Sequence, residues 1–186
     1  MADVLGVIAE DTTDLETVRV LIQRVRPVKV LGHAGAGSSR IPTKAAAWMK
    51  DLARRGASKV LIVHDLDRDP ITGELRDEAA LRRRLMGVPT PAGVTHVVCI
   101  PVEELEAWFW ASDACLSHIA KRPTRGYSDP AAVRRPKERL IALSRDERRH
   151  AWYTPNDNAA LARLLELEVC AARCPSLRTL IAFASA

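Results

Sequence analysis

The chain is poor in aromatic residues: four Trp, two Tyr and two Phe in 186 residues. So sparse a set gives no basis for a surface of stacked aromatic platforms of the kind that grips single-stranded nucleic acid. Trp108, Trp110, Trp152 and Tyr153 read instead as core or interface residues, and Trp48 as packing. Long apolar runs are missing too, so no segment approaches the ~20 residues that span a bilayer. A basic leader with a cleavage site is not apparent, and the expected compartment is the cytoplasm. Cysteine is scarce. Cys99 sits in an apolar stretch, and Cys170 and Cys174, four apart, have no second pair at zinc-site spacing, so they read as packing thiols beside Cys115. Neither a nucleophile elbow nor an H-E-x-x-H motif occurs, which leaves serine-hydrolase and zinc-protease chemistry without support. Internal repeats and low-complexity tracts are likewise lacking.

What the sequence does have is an alternation of strand and helix signals over its first hundred residues. Residues 4–9 form a continuous apolar strand, and apolar positions Leu15, Val18, Leu21, Ile22 and Val25 predict a helix over 14–26, capped by Thr12 or Thr13. A short strand over 28–31 is ended by Gly32, and Pro42 opens a helix over 42–55 closed by Gly56. Residues 58–64 and 94–102 are further strands, with helices over 74–86 and 103–112. Short connections between such units imply a mostly parallel sheet of about four strands, covered on both faces by helices. Beyond 113 strand signals vanish, and helices are expected over 114–121, 130–143, 157–172 and 176–184. No flexible linker separates the halves, so a single α/β domain with a helical C-terminal half is expected.

The acidic residues fall where those strands end. Glu10 follows the first strand, Asp65 and Asp67 the third, and Glu103, Glu104 and Glu106 the fourth. In parallel sheets the ligand site lies beyond the carboxyl ends of the strands. Carboxylates gathered on that rim suit Mg²⁺ or Mn²⁺, which take a few hard oxygen ligands, several waters and substrate phosphate oxygens. Asp14, one turn into the first helix, lies near the same rim, whereas Asp11 is best explained as a helix cap. Three acids opening the helix at 103 are also what a helix dipole favours.

Charge is uneven. The chain carries 28 basic and 23 acidic residues, yet residues 121–150 hold ten basic and four acidic ones, which leaves the rest of the chain at −1. A basic segment beside an acidic pocket suits a polyanionic substrate, with Arg134, Arg135 and Lys137 positioning its backbone. The glycine-rich stretch 32–37 leads into Ser38, Ser39 and Arg40, a further candidate phosphate contact. It has the spacing of neither a P-loop nor a dinucleotide fingerprint. His33 reads as an incidental loop residue.

Glu10 after the first strand and Asp65-Leu66-Asp67 after the third resemble the marks of the Toprim superfamily. More closely, Glu10-Asp11-Thr12-Thr13-Asp14, Glu104-Leu105-Glu106-Ala107-Trp108, Pro136-Lys137 and Cys174-Pro175-Ser176-Leu177 resemble a small stand-alone bacterial Toprim-like family related to nucleases of the overcoming-lysogenization-defect type. Asp11 stands where that pattern has glycine, and Leu177 where it has an aromatic residue. The resemblance implies a Toprim-like, Rossmann-like fold and Mg²⁺- or Mn²⁺-dependent phosphodiester hydrolysis on DNA rather than RNA, in anti-phage defence or repair. A separately encoded ATPase partner and an oligomer fit the same reading. Glu10, Asp65 and Asp67 would be catalytic, and Glu10, Asp14, Asp65, Asp67, Glu104 and Glu106 the metal ligands. Two other readings stand beside it: a non-catalytic module that binds nucleic acid or an ATPase, and a receiver-type aspartyl phosphotransfer domain. Glu103 and Glu104 at the fourth strand end would repel a phosphoryl group and disfavour the latter.

Overall fold

A computed structural model describes residues 4–35, 37 and 40–186. Strands β1 (Val4–Ala9), β2 (Lys29–Ala34), β3 (Lys59–Val63) and β4 (Thr95–Cys99) form one sheet in the order β2-β1-β3-β4, every neighbouring pair parallel. Helices α1 (Thr12–Val25), α2 (Ile41–Arg54) and α3 (Glu78–Met86) make the crossovers. The fold is α/β and Rossmann-like, as the strand–helix alternation predicts.

The two-residue period of the strands sorts the core into two layers. Leu5, Val7 and Ala9 of β1, with Leu61 and Val63 of β3, face α1 and the C-terminal helices. Ile8, Val60, Ile62 and Val98 face the other way, against Ile41, Ala45, Met49 and Leu52 of α2 and Leu85 of α3. Burial on both faces is why these strands read as unbroken apolar runs.

Several boundaries differ from expectation. β2 does not stop at Gly32 but continues to Ala34, because Val7, Ile8 and Ala9 pair with Gly32, His33 and Ala34. Glycine serves there as a close-approach residue: a Cβ at Gly32 would stand 2.3 Å from Leu15 Cδ1 of α1. Helix α1 starts at Thr12 rather than at 14, with Thr12 and Thr13 inside it, and is capped by Asp11 as expected of that residue, whose carboxylate accepts the Asp14 N–H at 2.9 Å. α3 starts only at Glu78, because residues 68–75 fold into a tight loop and Asp77 provides the cap. β4 ends at Cys99, short of 102, and the stretch after it winds as a 3₁₀ segment, Leu105–Ala111, rather than an α-helix.

The C-terminal half contains α4 (Asp113–Ala120), α5 (Pro136–Leu143), α6 (Asn158–Leu164), α7 (Leu167–Arg173) and α8 (Pro175–Ser185). The helix expected over 130–143 is broken at Arg135, which has φ 49°, because proline at 136 disfavours a helical residue before it. The helix expected over 157–172 breaks after Leu164, where Arg24 of α1 donates to the carbonyls of Ala162 and Leu165 at 2.6 and 2.7 Å. This half shares its buried core with one face of the sheet. The Trp108 indole N–H donates to Ser176 Oγ at 2.9 Å, and that of Trp110 to the Pro136 carbonyl at 3.0 Å. Tyr153 is fully buried, whereas Trp152 remains about a third exposed beneath the Lys121 ammonium. The four cysteines are buried thiols, and burial pushes Cys115, Cys170 and Cys174 up to about 12. No described helix is long and apolar enough to cross a membrane.

Candidate functional site

β1 and β3 lie side by side at the centre of the sheet, where the chain reverses its direction of growth from β2 to β4. That reversal opens a crevice at the carboxyl ends of the strands. Glu10 and Asp65 occupy it.

Glu10 leaves β1 with its carboxylate turned across to β3, where Oε1 accepts the Asp65 N–H at 2.9 Å and lies 3.2 Å from His64 Nδ1. His64 Nδ1 is also 2.8 Å from the Asp65 carbonyl oxygen, which only accepts, so the ring proton sits on Nδ1. Burial raises the Glu10 carboxyl, and His64 and the Asp65 N–H partly offset it.

Past β3 the chain keeps parallel company with the segment after β4. Leu66 N–H donates to the Pro101 carbonyl at 2.8 Å, and Glu103 N–H donates to the Leu66 carbonyl at 3.1 Å. This prolonged pairing buries Leu66 and sets Asp65 and Asp67, one residue to either side, on a common wall. Asp65 is held well above the usual carboxylate range by burial, then by Asp14, Glu10, Glu106 and Glu104. Asp14, buried in the first turn of α1, is pushed up to about 8 by burial and by Asp11, Glu106 and Glu10.

Glu106 is buried and accepts the Asn158 side-chain N–H at 3.0 Å, and Tyr153 donates its hydroxyl to Asn158 Oδ1 at 2.6 Å. Burial raises Glu106 as well. Glu104 accepts the Lys137 backbone N–H at 3.0 Å and pairs with Lys137 Nζ at 2.8 Å. Burial alone would lower Lys137, but the bond and charge of Glu104 prevail and hold it above its ordinary range. Glu103, at φ 60°, accepts from Arg68 Nε and from the Arg135 N–H, and so braces the turn that presents Lys137.

These groups line one pocket of about 290 Å³. Among the described residues lining it, Glu10, Asp11, Asp14, Asp65, Asp67, Glu104 and Glu106 contribute seven carboxyls, and Lys137 the single cation. All six carboxylates expected as metal ligands are thus brought together. Lys137 lies among them rather than on an outer phosphate-binding face. Arg40, Arg134 and Arg135 are exposed and outside the pocket, and Ser38 and Ser39 lie outside the described residues. The glycine loop still reaches the site by its backbone: Gly35 N–H donates to Ala9 O at 2.9 Å and Gly37 N–H to Glu10 O at 3.2 Å. His33 is engaged elsewhere, 2.9 Å from Asp51 and stacked on Trp48. Sequence reasoning missed His64, Asn158, Tyr153 and Pro155. Only His64 carried a signal, being next to Asp65.

The donor chemistry fits a hard divalent cation: several desolvated carboxylates raise one another, and one lysine does not neutralise them. The ligand geometry is less complete. Among the described residues, no three His, Cys, Asp or Glu side chains stand together as a ready cation cage. Glu10, Glu104 and Glu106 face N–H donors instead.

No curated protein and no solved structure matches the chain. Residues 9–183 do match a family described as a domain of unknown function, a span that runs from the residue before Glu10 to the last helix and takes in every group lining the acidic pocket. The chain therefore belongs to the family designated DUF4276.

Proposed function

We propose that the protein is a cytoplasmic Mg²⁺- or Mn²⁺-dependent nuclease, Toprim-like in its chemistry, that hydrolyses phosphodiester bonds in DNA. One observation carries the reading: carboxylates from three separate strand ends line one partly buried pocket, and a divalent cation would relieve their mutual repulsion. Asp65 and Asp67, beside Glu10, would hold one ion, and Asp14 with Glu104 or Glu106 a second; bound there, the ions would activate water and stabilise charge on phosphate oxygens.

The chain's own groups supply the rest. Lys137, held by Glu104, binds a non-bridging oxygen of the scissile phosphate and orients it. Glu10, fixed by the Asp65 N–H beside His64, takes the proton from the attacking water. The water oxygen bonds to phosphorus, the bond to the leaving sugar oxygen breaks, and that oxygen takes a proton from solvent. The basic surplus in residues 121–150 steers the polyanion toward the site. A separately encoded ATPase, self-association and a role in anti-phage defence or repair belong to the same proposal.

That the described residues form no ready-made cation cage favours a second reading, a non-catalytic module that binds nucleic acid or an ATPase partner. Incubating plasmid and single-stranded DNA with the protein in Mn²⁺, Mg²⁺ or EDTA separates the two. Metal-dependent cutting that disappears in Asp65→Ala/Asp67→Ala supports the nuclease. DNA binding without cutting under every metal condition supports the module.

A further inference from the structure

The wall formed by Asp65 and Asp67 has a second side. Behind it lies another cavity, of about 460 Å³, lined also by Leu66, by Pro42 at the start of α2, by Leu81 and Arg84 of α3, and by Arg76. We propose that this cavity is a mononucleotide subsite, in which Arg76 and Arg84 bind the phosphate adjoining the scissile one and the nucleoside rests on Pro42, Leu66 and Leu81. The proposal rests on the nuclease reading and assigns the substrate's flanking nucleotide a place.

Size and chemistry agree. The volume lies within the range of small-ligand sites, and the lining combines an apolar floor with a few polar groups. The charges facing the cavity are Arg76, Arg84 and His64 against Asp65, Asp67 and Asp77. Asp77 is committed to capping α3, accepting the Ala80 N–H at 3.0 Å. Asp67 stands 3.7 Å from Arg76, too far for a direct hydrogen bond, so that guanidinium retains donors for an anion. Arg84 has no acidic partner among the described residues, whereas nearby Arg68 and Arg82 are paired with Glu103 and Glu78. Arginine suits the role because its planar fork binds two phosphate oxygens at once.

Hydrogen bonds close the loop that carries Arg76. Asp69 N–H donates to Glu74 O at 2.8 Å, and Asp69 Oδ1 accepts the N–H groups of Ile71 and Thr72 at 2.8 and 2.9 Å. Arg76 N–H then donates to Asp67 O at 3.1 Å, which ties one phosphate-binding arginine directly to the acidic wall.

The test is a binding titration in EDTA, where no cleavage occurs, with thymidine 5′-monophosphate, thymidine and inorganic phosphate as separate probes. The nucleotide is expected to bind more tightly than either fragment. Arg76→Ala and Arg84→Ala, both at exposed positions, should each weaken it about tenfold, the loss of a charge-assisted bond. Ala80→Phe, which narrows the same cavity from an exposed position, should abolish it while leaving the melting temperature unchanged. Unaltered nucleotide affinity in both arginine variants overturns the subsite, as does inorganic phosphate binding as tightly as the nucleotide. Nucleotide binding lost in the arginine variants of a protein that cuts nothing upholds the subsite and removes the nuclease. Metal-dependent cutting with KM unchanged in the arginine variants removes the subsite and leaves the nuclease.

Discussion

The Asp65 N–H donates to the Glu10 carboxylate across 2.9 Å, tying the ends of the two central strands together through a side chain. An acceptor oxygen is needed there for structure, and a negative charge only for chemistry. Glu10→Gln keeps the acceptor and should leave the melting temperature nearly unchanged while cutting turnover by at least the ~100-fold that loss of a metal-site partner can cost. Glu10→Ala should lower both, because it orphans a buried N–H. Thermal melts read beside cleavage rates check this prediction, and equal cleavage by Glu10→Gln and wild type would sink the assignment of Glu10.

Stability should depend on pH through Asp14. Its carboxyl, near 4 in an unfolded chain, is pushed up to about 8 by burial and neighbouring acids. Between those values the folded chain holds a proton that the unfolded chain has released. Stability is therefore full below about pH 4 and falls as pH rises to about 8, by at most about 1.4 kcal/mol per pH unit for this group. Melts in EDTA should show a higher transition at pH 5 than at pH 8.5, with a shallower slope in Asp14→Asn. Mn²⁺ should recover stability at the alkaline end, and a rise of stability with pH in wild type would contradict the argument.

Among the described residues, Lys137 is the one cation in a pocket of seven carboxyls. Lys137→Met should tighten Mn²⁺ binding, since a competing positive charge is gone, and yet slow cleavage, since the phosphate loses its lysine. Calorimetry with Mn²⁺ and a cleavage assay on the same preparations give the two signs. Weaker metal binding in the variant would mean that Lys137 supports the pocket structurally through Glu104 instead.

Gly32 admits Leu15 of α1 close against β2. Gly32→Ala places a methyl against Leu15 and should cost about 1–3 kcal/mol by overpacking. Adding Leu15→Ala should restore part of that loss, a non-additive pair of the kind expected for side chains in contact. Strict additivity of the two melting shifts would refute the contact.

What the sequence discloses depends on whether the cooperating residues mark the ends of regular elements. Glu10 and Asp65-Leu66-Asp67 are legible because each terminates an unbroken apolar run, and a parallel sheet puts such ends on one rim. Leu66 is apolar for a reason visible only in space, its burial by pairing past β3. Gly32 looks like a stop because glycine commonly is one, whereas here the packing of Leu15 selected it. The breaks at Arg135 and after Leu164 were hidden because helical periodicity persists through them, while proline geometry and the reach of Arg24 impose the turns. The link from Glu106 to Asn158 has no local signature at all: 52 positions separate the partners.

That last separation governs when the pocket comes into being. A chain emerging from the ribosome presents Glu10, Asp14, Asp65 and Asp67 long before Lys137, Pro155 and Asn158, which supply its cation, part of its rim and the amide that holds Glu106. The acidic pocket is therefore completed only once the chain has been made past Asn158, and a chain that stops short of Lys137 carries the carboxylates without the groups that hold and offset them.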